Sequence, residues 1–317
     1  MTKKLQPKKI MNSGFSDWSP EQLPDLKGKL YLITGGNSGI GFEAAKMLNS
    51  AGADITIACR NLDKGREAVE KLNAIEGTKI ELIQLDLADL SSVRKAADEV
   101  RTRYSKIDGL INNAGIMATP QQQTADGFEM QLGTNHLGHF LWAGLLIDLV
   151  KAVKGRVVVV SSIIHKMGYI KFKDLMLING YSPWKAYSQS KLATSVFAFE
   201  LDRRLKAANS EVSCIGCHPG YSSTSLQTTG PTGFYKLTAP LMNGLMAQPS
   251  YRGAIPTVLA AAGKEAKAGG YYGPQSFFEM RGKISDAEVA SLALDEKTGA
   301  RLWEESEKLV GFKWPQL

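Results

Sequence analysis

The stretch YLITGGNSGIGFEAAKMLNSAG, residues 31–52, decides the fold class of this chain. It opens with apolar and β-branched residues typical of a buried strand, passes through a glycine-rich loop, and continues with apolar residues at helical spacing. Glycines allow the tight turn that such a short connection needs. The stretch therefore predicts a strand, a loop and a helix in direct succession, which is the repeating unit of an α/β fold.

The same alternation continues along the chain. Strands are predicted at 29–34, 54–59, 79–85, 107–112, 156–161 and 211–217, and helices at 39–51, 63–74, 91–104, 126–153 and 187–209. Strands that are apolar on both faces belong in a parallel sheet covered on both sides, and short connections imply right-handed crossovers. We therefore expect a single-domain α/β fold of Rossmann type over residues 28–317, a doubly wound parallel sheet with helices on both faces and ligands beyond the carboxyl ends of its strands.

Two segments fall outside this alternation. Residues 1–27 are predicted to be an N-terminal extension, and the lysines near its start, Lys3, Lys4, Lys8 and Lys9, are expected in a solvated, mobile terminus. Residues 221–250 contain several glycines and prolines and are expected to form an irregular excursion that covers the site.

Composition and charge exclude several classes of protein. The 317 residues are 44% hydrophobic with a formal net charge of +7, which is typical of an ordinary globular protein. The longest apolar helical stretch, residues 137–150, is too short to span a bilayer, and no apolar run of a secretory signal occurs near the N-terminus. No nucleic-acid-binding motif accompanies the basic residues. We expect a cytoplasmic protein with reduced cysteines and neither a membrane span nor a nucleic-acid partner.

The sequence CIGCHPG, residues 214–220, contains the CxxCH pattern that attaches haem c. Its cysteines, however, fall in a predicted buried strand, where Cys214 and Cys217 would project to opposite faces as small core residues. His136 and His139 are spaced for a shared metal, but no third ligand accompanies them, so no metal is expected.

The glycine loop predicts a dinucleotide site. Its glycines let the backbone approach a pyrophosphate, and the helix that begins near Ser38 offers free amides and the positive end of its dipole. The candidate cofactor-binding residues of this loop are Gly35, Asn37, Ser38, Gly39, Ile40 and Gly41.

Three motifs in order resemble the short-chain dehydrogenase/reductase family: TGGNSGIG at 34–41, NNAG at 112–115, and the YxxxK pattern formed by Tyr187 and Lys191. The resemblance extends from about residue 28 to 225. The segments CRNLDKG, NHLGHFLW and HPG are similar to the branch that contains retinol dehydrogenases and related carbonyl reductases.

The resemblance implies a catalytic set of Asn135, Ser162, Tyr187 and Lys191. Tyr187 and Lys191 lie one helical turn apart, and a nearby ammonium is expected to lower the pKa of the phenol. Ser162 would bind the substrate oxygen, and Asn135 would hold a water in a proton relay with the lysine. Further cofactor contacts implied by the family are Asp86, Leu87, Asn113, Ala114, Gly115, Pro219, Gly220 and Thr224.

Arg60 closes the second predicted strand, where an enzyme that prefers NAD(H) usually carries an acid. A guanidinium suits the 2′-phosphate of NADP(H) instead, although a plain surface arginine is the alternative interpretation. Asn61 adjoins it, and Lys64 on the next turn could assist. NADP(H) is therefore favoured over NAD(H).

The implied function is an NADP(H)-dependent oxidoreductase that interconverts an aldehyde or ketone and an alcohol, with lipophilic carbonyls among the expected substrates. Two alternatives stay open, a non-catalytic NADP(H)-binding regulatory or scaffold protein and a reductase of a C=C bond. The family resemblance also makes a homodimer or homotetramer plausible. Large side chains that could line an apolar pocket, although core packing is the default for them, are Trp142, Trp184, Phe234, Tyr235 and Met242.

Overall fold

The computed structural model describes residues 6–73, 78–222 and 247–317. Its strands are β1 (Lys8–Lys9), β2 (Leu30–Thr34), β3 (Asp54–Cys59), β4 (Ile80–Gln84), β5 (Gly109–Asn112), β6 (Arg156–Val160), β7 (Ser213–Cys217), β8 (Tyr271–Ser276), β9 (Arg281–Asp286) and β10 (Glu288–Val289). Its α-helices are α1 (Gly39–Ser50), α2 (Leu62–Asn73), α3 (Leu90–Arg103), α4 (Met130–Leu132), α5 (Gly138–Lys151), α6 (Pro183–Ala207), α7 (Ser250–Ala262) and α8 (Glu296–Val310).

Within the described residues, eight strands form one sheet in the order β4-β3-β2-β5-β6-β7-β8-β9. The first seven in this order run parallel, and β9 pairs antiparallel with β8. The strand order reverses between β2 and β5. From β2 the chain continues to β3 and β4 on one side of the sheet, and then returns to form β5 on the other side of β2. In open α/β sheets this reversal opens a crevice at the carboxyl ends of the strands, where ligands bind.

Helices cover both faces of the sheet. One buried cluster contains Leu141 of α5 and Leu201 of α6, and the cluster on the opposite side contains Ala44 of α1 and Val258 of α7. The expected doubly wound α/β fold with helices on both faces is therefore confirmed.

All six predicted strands are present, with ends that differ by at most two residues. The C-terminal elements α7, β8, β9 and α8 were not predicted. The predicted helix 126–153 is interrupted, because a π-helical segment, Gly133–Leu137, joins α4 to α5. The predicted helix 187–209 begins earlier, at Pro183, since proline is favoured in the first helical turn, where its missing N–H costs no hydrogen bond.

The N-terminal extension packs against the C-terminal part of the chain, which corrects the prediction of a mobile terminus for Lys8 and Lys9. These two residues form β1, which pairs antiparallel with β10. Further along, Trp18 is 1% exposed, and its Nε1 donates to Glu265 Oε2 at 2.8 Å. The backbone amide of Trp18 also donates to Ile284 O at 3.1 Å. Lys3 and Lys4 lie outside the described residues.

Replacement of Trp18 by alanine is expected to lower the free energy of unfolding by about 3–5 kcal/mol, the usual cost of deleting a buried tryptophan. The cost arises because the indole fills a site between the extension and the core. Urea unfolding followed by circular dichroism would measure the loss. Phe278→Ala, at a side chain that is 90% exposed, serves as the control and should change stability by less than about 0.5 kcal/mol. Equal small effects of both variants would show that the extension does not stabilise the fold.

Most of the predicted excursion, residues 223–246, lies outside the described residues, so its proposed covering role stays a prediction. In the part of the chain that is described, every helix is too short or too polar to cross a bilayer. The cytoplasmic location stays a prediction.

Candidate active site

The loop between β2 and α1 makes a tight turn that depends on its glycines. Gly35 and Gly39 have φ angles of 68° and 55°, which L-residues with side chains rarely adopt. A Cβ atom on Gly41 would lie 2.5 Å from both Gly35 O and Asn113 Nδ2, so only glycine fits there. The side chain of Ser38, the residue before α1, makes no capping hydrogen bond. The first amides of α1 therefore receive no side-chain cap and offer the donors that a phosphate group needs.

Thr34 joins this loop to the end of β5. Its Oγ1 accepts hydrogen bonds from the amides of Asn113 and Ala114, both at 3.0 Å, and its carbonyl accepts one from Asn113 Nδ2 at 2.8 Å. The Cβ of Ala114 packs 3.0 Å from the position that a Cβ on Gly35 would take. The two strand ends at the reversal point are thus held as one unit.

Two more predicted cofactor residues border the same crevice. Asp86, after β4, accepts a hydrogen bond from the amide of Ala88 at 2.9 Å, which shapes the turn. Leu87 is buried, and its carbonyl packs against Gly138 at the start of α5. Of the remaining loop residues, Ile40 is buried and Asn37 is partly exposed.

Arg60 follows β3 and is exposed. Among the described residues its guanidinium makes no ion pair and no hydrogen bond within the protein. Asn61 is also exposed, and its Oδ1 accepts a hydrogen bond from the amide of Lys64 at 2.9 Å, which fixes the first turn of α2. The crevice between β2 and β5 therefore has a glycine cradle and uncapped helix amides, with a cation at the end of the neighbouring strand. These features fit a dinucleotide.

Tyr187 and Ser162 meet at the carboxyl end of β6. Tyr187 is 8% exposed on α6, and the side chain of Ser162 lies close enough to its phenol to influence the phenol pKa. Burial raises the pKa of the Tyr187 phenol, and the Ser162 contact opposes the rise without cancelling it. The sequence had predicted a lowered pKa. The direction is reversed because the buried phenolate would lose its hydration, and the ammonium of Lys191 is not among the groups that act on this phenol.

Lys191 lies one turn further along α6 and is 6% exposed. Its Nζ donates to Val160 O, the last residue of β6, at 3.1 Å. A Cβ on Gly115 would lie 3.4 Å from this Nζ, so the missing side chain leaves the ammonium accessible from the end of β5. Burial lowers the pKa of Lys191 to about 8.

Asn135 lies in the π-helical segment and is buried rather than on the surface. Its Oδ1 accepts from the amide of Ile116 at 2.8 Å, and its Nδ2 donates to Ile116 O at 3.0 Å and to Ser190 Oγ at 2.9 Å. The same Oδ1 lies 3.1 Å from where a Cβ on Gly115 would be. The side chain of Asn135 thus holds the segment after NNAG, and its predicted role in a water relay stays a prediction.

The structure separates the two adjacent serines after β6. Ser161 is buried, and its Oγ donates to Lys191 O at 2.9 Å and accepts from Ser195 Oγ at 2.8 Å. Ser162 is partly exposed, its Oγ accepts from the amide of Ile164 at 3.4 Å, and its side chain influences the pKa of the Tyr187 phenol. Ser161 therefore stabilises the helix packing, and Ser162 is the serine that faces the crevice.

Pro219 and Gly220 follow β7 at the same end of the sheet. Pro219 O accepts from Gln248 Nε2 at 2.7 Å, and Gly220 has a φ of 68°. Thr224 lies outside the described residues, so its predicted contact stays untested.

The cysteines of CIGCHPG are core residues. Cys214 and Cys217 are at most 1% exposed and belong to the clusters on opposite faces of the sheet. Burial raises the pKa of Cys217 to about 12, so the thiol stays protonated. The histidine pair also has separate partners, since His136 Nε2 lies 2.8 Å from Ser306 Oγ and His139 Nε2 lies 2.8 Å from Thr34 Oγ1.

Sequence reasoning missed Thr34 and His139 as parts of the site. His139 Nδ1 lies 3.1 Å from Asn135 O, so the ring links the π-helical segment to the threonine that holds the two strand ends. Both residues fall within quoted motifs, but nothing in their spacing indicates the contact. Of the large side chains considered for a pocket, Trp142 is buried in the core, whereas the ring of Trp184 lies 6.2 Å from that of Tyr187. The other three lie outside the described residues.

The chain is similar to several known proteins. The family model described as short chain dehydrogenase matches residues 29–232. Human retinol dehydrogenase 13 is 38% identical over 299 residues, which cover 92% of this chain and 87% of that protein.

Two solved structures are also similar. An uncharacterised protein from Mycobacterium paratuberculosis has a TM-score of 0.79 and 39% identity, with 94% of this chain and 99% of that chain covered. A short chain dehydrogenase from Burkholderia cenocepacia in complex with NADP has a TM-score of 0.61 and 23% identity, with 78% and 96% covered. The chain belongs to the short-chain dehydrogenase family.

Proposed function

We propose that the protein is an NADP(H)-dependent oxidoreductase that interconverts a carbonyl and an alcohol, with Tyr187 as the acid and base. The observation that carries the proposal is the convergence of Tyr187, Ser162 and Lys191 at the strand ends beside the glycine cradle. An acid, an oxygen-binding hydroxyl and a buried cation are the groups that such a reaction needs from the protein.

The bound nicotinamide would supply or accept the hydride. In reduction, the phenol of Tyr187 donates a proton to the substrate oxygen, and the hydroxyl of Ser162 donates a hydrogen bond that orients and polarises the same oxygen. The ammonium of Lys191, at the end of β6, is the proposed donor to the ribose of the cofactor. Because its raised pKa keeps Tyr187 protonated at neutral pH, the resting site is prepared for reduction.

The proposed preference for NADP(H) depends on Arg60. Its exposed guanidinium follows the strand next to the glycine loop and is not engaged by a described acidic side chain.

Arg60→Glu is expected to lower the ratio of kcat/KM for NADPH over NADH by about tenfold or more, because a charge-assisted hydrogen bond is worth about 1.5–3 kcal/mol. Steady-state rates with each cofactor would measure the ratio. Lys71→Glu makes the same charge reversal in the last turn of α2 and should leave the ratio unchanged. An unaltered ratio in Arg60→Glu would remove the basis for the NADP(H) assignment.

We further propose that lipophilic carbonyls are substrates. The similarity to retinol dehydrogenase 13 and the position of Trp184 beside Tyr187 support this class. The homodimer or homotetramer stays a prediction.

The direct test follows NADPH oxidation with decanal, benzaldehyde, all-trans-retinal, menadione and cinnamaldehyde. Alcohol products would support the proposal. Cinnamaldehyde separates the chemical alternatives, since carbonyl reduction gives cinnamyl alcohol and C=C reduction gives the saturated aldehyde. Binding of NADPH without turnover of any of these compounds would instead favour a regulatory or scaffold role.

A further inference from the structure

A buried polar cluster lies beneath the turn that follows Ser162, and the proposed chemistry uses none of it. Its members are His165, Lys166, His218, Tyr271 and Glu279. His165 and His218 are both 0% exposed. Burying polar groups costs free energy unless each group is hydrogen-bonded. The partners of each group in the cluster therefore show what the cluster holds in place.

His165 connects the catalytic turn to the C-terminal segment. Its Nδ1 lies 2.7 Å from Ser162 O, and its Nε2 accepts a hydrogen bond from the amide of Ala290 at 3.1 Å. A backbone amide only donates, so Nε2 carries no proton. The proton of the neutral ring is therefore on Nδ1, which donates to the carbonyl of Ser162.

The rest of the cluster fixes the C-terminal side of this connection. Lys166 Nζ lies 2.8 Å from Glu279 Oε2 and 2.9 Å from Glu288 Oε2. The amide of Glu288 donates to Glu279 Oε1 at 2.8 Å, and His218 Nε2 lies 3.2 Å from Glu279 Oε2. Ala290 is thus part of a segment that is held by several bonds and can serve as a fixed support for the imidazole.

The orientation of Ser162 depends on its backbone. Its carbonyl accepts from the amide of His165 at 3.1 Å as well as from the ring, and both bonds hold the first turn of the 3₁₀ helix Ile163–Met167. This backbone carries the Ser162 side chain, so its orientation limits the positions that Oγ can take near Tyr187. Displacement of a reacting group by about 1 Å can lower a rate by about 100-fold.

We propose that His165 is a positioning residue for Ser162, holding the serine carbonyl through Nδ1–H while the amide of Ala290 fixes its tautomer. The inference rests on the proposed function, because it assumes that Ser162 acts on the substrate oxygen.

The ring is expected to keep this tautomer over the pH range of activity. Burial lowers the pKa of His165 to about 3, and the titratable groups that face it are Lys166, His218, Tyr271 and Glu279. The ring therefore stays neutral between about pH 5 and 9, and no change of its proton is part of the mechanism.

Three substitutions separate positioning from packing. In His165→Asn, Nδ2 takes the place of the ring Nδ1 and can still donate to Ser162 O, whereas the bond to Ala290 is lost. In His165→Gln, the terminal amide reaches the place of Nε2 and keeps the bond to Ala290 but loses the one to Ser162. His165→Phe keeps the ring volume and loses both bonds. Rates would be measured with NADPH and the aldehyde turned over fastest among those named above.

We expect kcat of the Asn variant to stay near the wild-type value, and kcat of the Gln and Phe variants to fall by about tenfold or more, with KM for NADPH unchanged in all three. His136→Gln, at a buried histidine that bonds Ser306, controls for the loss of a buried ring and should leave kcat unchanged. Equal losses in the Asn and Gln variants, no loss in any variant, or a loss confined to KM for NADPH would overturn the proposal.

Nitrogen-15 NMR of the wild-type protein gives a readout that does not depend on activity or on the folding of a variant. A His165 signal with Nδ1 protonated and Nε2 bare from pH 6 to 9 is expected, and the opposite tautomer would overturn the proposal. Ser162→Ala separates the two levels of inference. If this variant keeps the wild-type kcat, the proposed function fails. If it loses activity but the His165→Asn variant is no more active than the His165→Gln variant, only the positioning role fails.

Discussion

Tyr187→Phe is expected to lower kcat for carbonyl reduction by about 10²–10⁴-fold, the usual contribution of a positioned general acid. The substitution removes one oxygen atom and keeps the ring that packs near Trp184. The proton donor is lost, and Ser162 is left as the remaining hydroxyl at the substrate oxygen. Steady-state reduction of decanal with NADPH would measure kcat, and quenching of protein fluorescence would show that NADPH still binds.

Tyr104→Phe is the matched control. Its hydroxyl is partly buried, donates to Glu81 Oε2 and lies 2.8 Å from Thr56 Oγ1, in the middle of β3 rather than at the strand ends. This variant should keep the wild-type kcat and lose only the stability of these hydrogen bonds, about 1–3 kcal/mol. Near wild-type turnover by Tyr187→Phe would show that another group supplies the proton.

Lys191→Met is expected to lower kcat by about 100-fold or more and to raise KM for NADPH, because the ammonium is the proposed donor that holds the ribose, and a misplaced nicotinamide transfers hydride slowly. The pH profile gives a second test. Since burial lowers the pKa of Lys191 to about 8, the ammonium is present below that pH and lost above it. The wild-type rate of reduction should therefore decline as the pH rises through about 8, and this decline should be absent in Lys191→Met.

Lys206→Met controls for the loss of a lysine from the same helix. Lys206 is exposed at the far end of α6 and pairs with Asp202 at 2.7 Å. Its removal should change neither kcat nor the pH profile. If Lys191→Met kept the wild-type KM for NADPH and the same decline above pH 8, the lysine would contribute neither to cofactor binding nor to the pH dependence of the rate.

The strand ends could be predicted from the sequence because each strand of the parallel sheet is a short apolar run followed by small or polar residues. Gly35, Asn113 and Ser162 were placed at the correct edge by this rule alone. The antiparallel strand β9 could not be predicted in the same way. Its sequence RGKISD has a largely exposed first half, and it belongs to the sheet through pairing with β8, which local pattern does not reveal.

The chemistry of the site was less predictable than its position. The spacing of Tyr187 and Lys191 gives their shared helix face but not their burial, and burial reverses the expected shift of the phenol pKa. Likewise His165 follows Ser162 closely in sequence, yet its partner Ala290 is 125 residues away. Contacts across such distances depend on tertiary packing, which no window of sequence contains.

The packing of the N-terminal extension also constrains the order in which contacts form during synthesis. Ser13 donates to Asp286 across 273 residues, and Trp18 reaches Ile284. During synthesis Ser13 leaves the ribosome 273 residues before Asp286, so these contacts can form only after the intervening chain has been translated. Until then Trp18 lacks its hydrogen-bond partners Glu265 and Ile284. The pairing of β1 with β10, next to the residues that support His165, should be among the last steps before the protein becomes active.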